Sequence, residues 1–305
     1  MSEHGSKMEL KKRPKLFSSD RLMPKVLFLF AIISIVTTIG IVVILITESA
    51  GFFRHVPIPE FLTGTEWKPL FAEPKFGVLP LINGTLMVAA IATIVAVPVG
   101  LGSAIYLSEY AHEKVRAVLK PVLEILAGIP TIVYGYFALT FVTPLLQTFI
   151  PDLMVFNALS AGIVVGIMII PMISSLSEDA MTAVPRTMRD AAYALGSTRL
   201  EVALKVVLPA AFSGVVSAFV LGISRAIGET MIVTLAAGAL PQMTLDPRDS
   251  IETLTAYIVS VSNGDTTYGS VPYLTIYAVG ITLFVMTLVM NILANWISRK
   301  FREEY

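Results

Sequence analysis

Long stretches of this chain carry no charge at all, and that alone narrows its solvent to lipid. A helix crossing about 30 Å of hydrocarbon at 1.5 Å per residue needs about 20 apolar residues. Six stretches meet that length. They lie between Lys25 and Glu48, from about Leu79 to Leu107, from about Leu126 to Phe149, from Leu153 to Ser177, from near Pro209 to about Leu240, and from Val271 to Ser298. The fifth is interrupted only by Arg225 and Glu229. Lipid offers no partner to an unpaired backbone group, and these runs are too long and too uniformly apolar for barrel strands, so each is expected to be a helix. Composition agrees: 55% of residues are hydrophobic and 14% charged, against about a quarter charged in a soluble domain. The expected fold is an all-α integral membrane protein with about six transmembrane helices.

The first apolar run follows a polar segment, exceeds a signal-peptide core and lacks a small-residue cleavage pattern, so it is expected to remain as an anchor. Lys and Arg resist translocation, and their distribution orients the bundle. Lys7, Lys11, Lys12, Arg13, Lys15, Arg21 and Lys25 precede the first run, and Lys114, Arg116 and Lys120 follow the second. Arg186, Arg189, Arg199 and Lys205 follow the fourth, and Arg299, Lys300 and Arg302 follow the sixth. The opposite side holds only Arg54, Lys68, Lys75 and Arg248. Both termini are therefore expected in the cytoplasm, with a tail at 1–25, a six-helix domain at 26–298 and a second tail at 299–305. Pro98, Pro130, Pro144 and Pro171, with Gly100, Gly102, Gly128 and Gly135, lie inside the runs, where neighbouring helices can satisfy freed backbone groups. Gly162 and Gly166 form a small-residue pair suited to close helix packing. Ile251, Leu254, Ile258 and Val261 are spaced for a short interfacial helix.

Several functions are excluded early. There is no cysteine, and His4, His55 and His112 are far apart, which argues against thiolate chemistry and structural zinc. No Gly-x-x-x-x-Gly-Lys-Ser/Thr stretch is present to cradle a nucleotide, so any ATP is expected on another subunit. Net charge is zero and gives no reason to invoke nucleic acid. No nucleophile-base pair, carboxylate pair or metal cluster of useful spacing falls in the apolar runs, which sets a membrane enzyme behind a transporter, and no cofactor is called for.

The positively charged loop at about 178–208 reads Asp190-Ala191-Ala192, three residues, Gly196, nine residues, then Val206-x-Leu208-Pro209. This resembles the coupling motif of ABC importer permeases, Glu-Ala-Ala-x3-Gly-x9-Ile-x-Leu-Pro, with Asp190 for Glu and Val206 for Ile. Small residues and a glycine turn would let two short helices form a compact knob that docks on an ATPase and passes on its movement. Arg186, Arg189, Arg199 and Glu201 are expected to set solubility and docking register. Beyond the loop, the sequence is similar to phosphate permeases. The resemblance rests on Phe76 to Tyr110 with Leu81-Ile82-Asn83-Gly84-Thr85, on Gly128-Ile129-Pro130-Thr131-Ile132-Val133-Tyr134-Gly135, and on Arg225-Ala226-Ile227-Gly228-Glu229-Thr230. Trp67-x-Pro69 and Asp246-Pro247-Arg248 favour the PstC type over the PstA type. The resemblance implies the type I permease fold of ABC importers in a bacterial inner membrane. It also implies a PstA-type second permease, a PstB-type ATPase dimer and a PstS-type phosphate-binding protein as partners, with phosphate as substrate. Another oxyanion, sulfate or molybdate, is the competing substrate.

Arg225 needs a reason to sit in an apolar run, since a charge at the bilayer centre costs at least about 2.5 kcal/mol. Its planar paired donors suit phosphate oxygens. Glu229, four residues on, is expected to orient Arg225 or to take a proton from the substrate, and the same motif implicates Thr230 in the pathway. The alternative is a closed Arg225–Glu229 pair that only neutralises both charges.

Overall fold

The computed structural model describes residues 19–300. The tail basic residues Lys7 to Lys15, and Arg302, lie outside the described residues. Contacts divide the chain into two units, residues 1–47 and 48–305. Helix α1, Ser19–Phe53, begins before the expected boundary at residue 25. Over the first unit its Leu, Ile and Phe side chains from Leu22 to Ile46 are exposed, save the partly exposed Leu45, as a helix surrounded by lipid requires.

The second unit continues with α2 (Ile58–Thr63), a hairpin of β1 (Trp67–Lys68) and β2 (Lys75–Phe76), and α3 (Leu79–Ile105), which ends in a π-helical turn at Tyr106–Tyr110. The strands are antiparallel, with Trp67 opposite Phe76. Then come α4 (Glu113–Ala127), α5 (Thr131–Phe137), a π turn at Ala138–Val142, α6 (Thr143–Gln147), α7 (Ala158–Thr182) and α8 (Arg186–Ala194). They are followed by α9 (Arg199–Val202), a π turn at Ala203–Val207, α10 (Leu208–Ala210), α11 (Phe212–Ile227), α12 (Met231–Ala236), α13 (Leu254–Ser262) and α14 (Val271–Lys300).

Among the described residues, four helices are long and apolar enough to cross a membrane, and two bent helix pairs raise the number to six. The bends correct two sequence expectations. The third span was placed at Leu126–Phe149, but α4 meets the Thr131–Gln147 helix at 87°. Pro130 has no N–H and disfavours helical backbone at Ile129, so α4 ends at Ala127 and a shorter span starts at Thr131. The fifth was carried from Pro209 to Leu240. Instead the chain turns by 76° between Ala210 and Phe212, and α11 stops at Ile227.

Helix α3 passes through three apolar clusters. Val78 and Leu81 at its start join Phe52, Phe61, Trp67, Phe76 and Tyr257. Val88, Ala92 and Ala96 pack on Val165, Ile169 and Ile173 of α7. Ala104 at its end joins Met181, Val184, Ala192 and Val202. The Gly162 and Gly166 pair does bring α3 and α7 together: an added Cβ at Gly162 would lie 2.6 Å from Ile91 Cβ, and at Gly166 2.9 Å from Ala92 O. The expected interfacial helix is instead core. Leu254 and Val261 of α13 are buried in the aromatic cluster around Trp67. Asp246-Pro247-Arg248 closes the start of α7, where Leu159 N donates to Pro247 O at 2.8 Å and Ala158 N to Asp249 O at 3.1 Å. Those donors would otherwise be orphans of a helix N-terminus. The Arg248 guanidinium and backbone N–H hold the Asp246 carboxyl at about 2.

Candidate functional site

Two features of the second unit bear on function: the hairpin of α8 and α9 and the break after α11. Pro185 sets the entry to α8 with φ −57°, suited to a helix start. Gly196, at φ +87°, ends it. Gly196 N donates to Tyr193 O at 2.9 Å and Ser197 N to Ala192 O at 3.1 Å, the pair of bonds that closes a helix through a left-handed residue. Two residues later Thr198 starts α9 through a capping box. Glu201 N donates to Thr198 Oγ1 at 3.3 Å and Thr198 N to Glu201 Oε2 at 3.0 Å. The turn is therefore closed by its own hydrogen bonds and presents a compact end.

The motif positions divide by burial. Ala192 is buried beside Met181 and Val184, together with Val202 and Val207 from between the motif positions, and Val206 and Leu208 lie against the same cluster. Asp190, Ala191, Gly196 and Pro209 are exposed. Leu195 at the tip is 88% exposed, an apolar side chain projecting beyond the turn. Sequence reasoning passed over it, although a leucine immediately before a turn glycine in a charged loop is a readable signal. Two of the loop's charged residues do other work than expected: Glu201 belongs to the capping box, and Arg189 is turned inward onto Glu109 at 2.9 Å.

The second feature begins where α11 runs out. Arg225 occupies the last turn, Gly228 ends the helix, and Glu229 lies beyond it. The four-residue spacing is thus not a helical one: Glu229 does not orient Arg225 as expected, and the alternative of a closed Arg225–Glu229 pair does not form either. Among the described residues no carboxylate lies within 4.0 Å of the Arg225 guanidinium. The Arg225 side chain is exposed on the chain, with Nη2 3.9 Å from Met168 Sδ of α7. Glu229 is buried and serves the backbone instead. Its Oε1 accepts from Met231 N at 3.1 Å and Ile232 N at 3.3 Å, which starts α12, and its carbonyl accepts from Thr255 Oγ1 at 2.7 Å. Thr230 Oγ1 donates to Gly228 O at 3.2 Å and so also bridges the break. Helix α12 then packs on α5. Gly135 allows the approach, since an added Cβ would lie 2.8 Å from Leu235 Cδ1 and 3.2 Å from Met231 O. The run at 128–135 therefore packs on α12, the helix that begins directly after the run at 225–230.

On the face where α3 begins, a cavity of about 420 Å³ is lined by Trp67, Lys68, Glu252, Tyr257, Ser260 and Asp265 among others. Glu252 is 5% exposed, and burial pushes its carboxyl up to about 7. No sequence signal pointed to it.

Residues 96–303 match the family described as "Binding-protein-dependent transport system inner membrane component". The chain is 37% identical to the probable ABC transporter permease protein YqgH of Bacillus subtilis over 272 residues, 88% of each chain. It is 30% identical to the phosphate transport system permease protein PstC of Haemophilus influenzae over 306 residues, covering 93% of this chain and 94% of that one. The chain belongs to this permease family, in its PstC group. It is a multi-pass inner-membrane transport component and not an enzyme. A bacterial importer of the polysaccharide alginate shares the fold, with TM-score 0.65 and 16% identity over 93% of this chain and 97% of that one. The MetNI methionine ABC transporter in an inward-facing conformation gives TM-score 0.54 and 17% identity over 74% and 95%. The type I permease fold expected from the sequence is thus the fold the chain adopts, and both the α8–α9 hairpin and the Arg225 break lie inside the region matched by the family.

Proposed function

We propose that this permease forms half of the translocation pathway of an ATP-driven phosphate importer, with Arg225 serving the anion in transit. A PstA-type permease supplies the other half, a PstB-type ATPase dimer receives the α8–α9 hairpin, and a PstS-type protein delivers phosphate from outside. Both termini lie in the cytoplasm. The hairpin couples through Asp190, Ala191, Ala192, Gly196, Val206, Leu208 and Pro209, with Leu195 as the apolar tip that enters the ATPase.

The observation that carries the anion role is the guanidinium at the α11 break, which has no carboxylate partner among the described residues. A membrane-spanning segment retains such a charge at a cost of at least about 2.5 kcal/mol, and the two residues best placed to neutralise or cap it are otherwise engaged. Glu229 and Thr230 contribute by holding the break open, not by touching the charge of Arg225. A planar guanidinium then offers paired donors to two oxygens of a tetrahedral oxyanion. Names of curated relatives in the PstC group make phosphate the first anion to test.

The test is uptake of labelled phosphate, sulfate and molybdate into proteoliposomes holding the assembled importer, with wild-type chain and with Arg225→Gln. ATP-dependent phosphate uptake that Arg225→Gln removes, in a complex that still assembles, is the expected result. Preference for sulfate or molybdate would replace the substrate, and full phosphate uptake by Arg225→Gln would remove Arg225 from the pathway.

A further inference from the structure

Arg189 stands apart from the other charges of the α8–α9 hairpin. Arg186 and Arg199 are exposed, whereas the Arg189 side chain is 14% exposed and that of its partner Glu109 is 5% exposed. The two residues are eighty positions apart in sequence. Arg189 Nη2 donates to Glu109 Oε1 at 2.9 Å, and Nε lies 3.3 Å from both carboxylate oxygens. The remaining donors of the fork reach the end of α7: Nη1 to Val184 O at 2.6 Å and Nη2 to Met181 O at 2.8 Å. One guanidinium therefore ties three elements together, namely α8, the end of α7 through one carbonyl in its last turn and one just beyond it, and the π turn that ends α3.

Glu109 is presented by that π turn, in which Ala111 N donates to Tyr106 O at 2.8 Å. Ser108 Oγ adds a bond to Glu109 Oε1 at 2.9 Å. The contact sits on the apolar cluster of Ala104, Met181, Val184 and Ala192, so the ion pair is held from below as well as from the side. Only a planar fork with several donors satisfies a carboxylate and two carbonyls at once, which a lysine ammonium in the same place would not do.

Covalently, the hairpin reaches the rest of the unit through 183–185 into α7 and through the 76° corner near Ala211 into α11. Both routes reach α3, the helix that runs through all three apolar clusters, only through apolar packing, chiefly of α7 on α3, whereas the Arg189–Glu109 pair ties the hairpin directly to the end of α3 by charge and hydrogen bonds. We propose that Arg189 and Glu109 are positioning residues forming a latch that delivers movement of the hairpin to α3. On the proposed importer function, on which this inference rests, an ATPase that pulls the hairpin then moves α3 and α7 as one body. Without the latch, the end of α3 follows the hairpin only through apolar packing, and part of the pull is spent in the corner at Ala211.

The readout is the ratio of ATP hydrolysed to phosphate imported, measured in proteoliposomes holding the whole importer and normalised to assembled complex. Arg189→Lys keeps the charge and loses the fork; Glu109→Gln keeps the shape and loses the charge. Both are expected to raise the ratio at least about tenfold, the scale of a typical coupling between sites. A wild-type ratio in both variants overturns the latch, however much complex is lost, because a merely structural contact changes yield and not stoichiometry. If neither variant assembles, Glu109→Cys with Arg189→Cys joined by a short bis-maleimide decides the question in a chain that has no native cysteine. Import restored by the cross-link supports the latch, and no import after cross-linking overturns it. A wild-type complex that hydrolyses ATP but imports no phosphate refutes the functional reading instead, and the same ratio is then taken with the oxyanion it does import.

Discussion

Glu252→Gln should abolish a pH dependence built into the face where α3 begins. The carboxyl is buried beside the cavity of Trp67, Lys68, Tyr257 and Asp265, and its nearest hydrogen-bond donor, Ser260 Oγ, is 3.5 Å from Oε1. Desolvation raises the folded-state value from 4.5 to about 7. A carboxyl whose folded value is raised binds its proton more tightly folded than unfolded, so its contribution is fully present below pH 4.5 and lost as pH rises through about 7. At 1.36 kcal/mol per unit the gap amounts to about 3 kcal/mol of stability lost across that window. Glutamine keeps the size, cannot ionise, and should escape the loss. The assay is thermal unfolding of the purified subunit or complex in detergent from pH 4.5 to 8, wild type against Glu252→Gln. The difference in melting temperature should be small at the acid end and grow in favour of the variant up to about pH 8. Two parallel curves would refute the reasoning, since they would mean the carboxyl is either well solvated or paired. Transport at pH 8 should follow the same order if the cavity keeps its shape only with Glu252 neutral.

Gly196→Trp should abolish ATP-driven uptake while leaving membrane insertion intact, because φ +87° is open to glycine and strained for tryptophan; co-purification of the ATPase checks it. Arg225→Lys should lower phosphate uptake less than Arg225→Gln, and Arg225→Gln with Glu229→Gln should behave like Arg225→Gln alone, since no ion pair joins the two residues; labelled uptake separates these outcomes. Glu229→Ala should cost about 1 kcal/mol in thermal stability through loss of the α12 cap, with Glu229→Gln costing less because its amide oxygen still accepts. Single cysteines at Thr65 and Ser262 should react with an impermeant thiol reagent added outside cells, and one at Ser197 should not; labelling at 197 would reverse the proposed orientation.

Much of this fold was legible because lipid demands length and apolarity, and those are local properties. The runs ending at Leu107 and starting at Val271 correspond to helices with small boundary shifts. The corners were not legible for the same reason: Leu126 to Phe149 stays apolar straight through the bend, and hydrophobicity carries no direction. Pro130 was visible but was read as a kink within a span, whereas with Gly128 it ends one helix and begins another. At the candidate site, Gly196 could be read from the resemblance of its loop to the coupling motif of ABC importer permeases. The partner of Glu229 could not, because a carboxylate four residues from an arginine looks like an ion pair until the helix is known to stop at Gly228. Arg189 with Glu109, and Glu252 in its cavity, depend on contacts between distant segments and leave no periodic trace.

The break after α11 supports itself, and that shapes how the site can vary. Its backbone is held by Glu229 on Met231 and Ile232, by Thr230 on Gly228 and by Thr255 on the Glu229 carbonyl, none of which involves Arg225. The scaffold and the charge it displays are therefore separable. A lineage drifting toward a different cargo could exchange the side chain at 225 while keeping the cap, the corner and the packing of α12 on α5. On the proposed anion role of Arg225, the same separation makes position 225 the natural place to graft new anion chemistry onto this frame without re-optimising the helices around it.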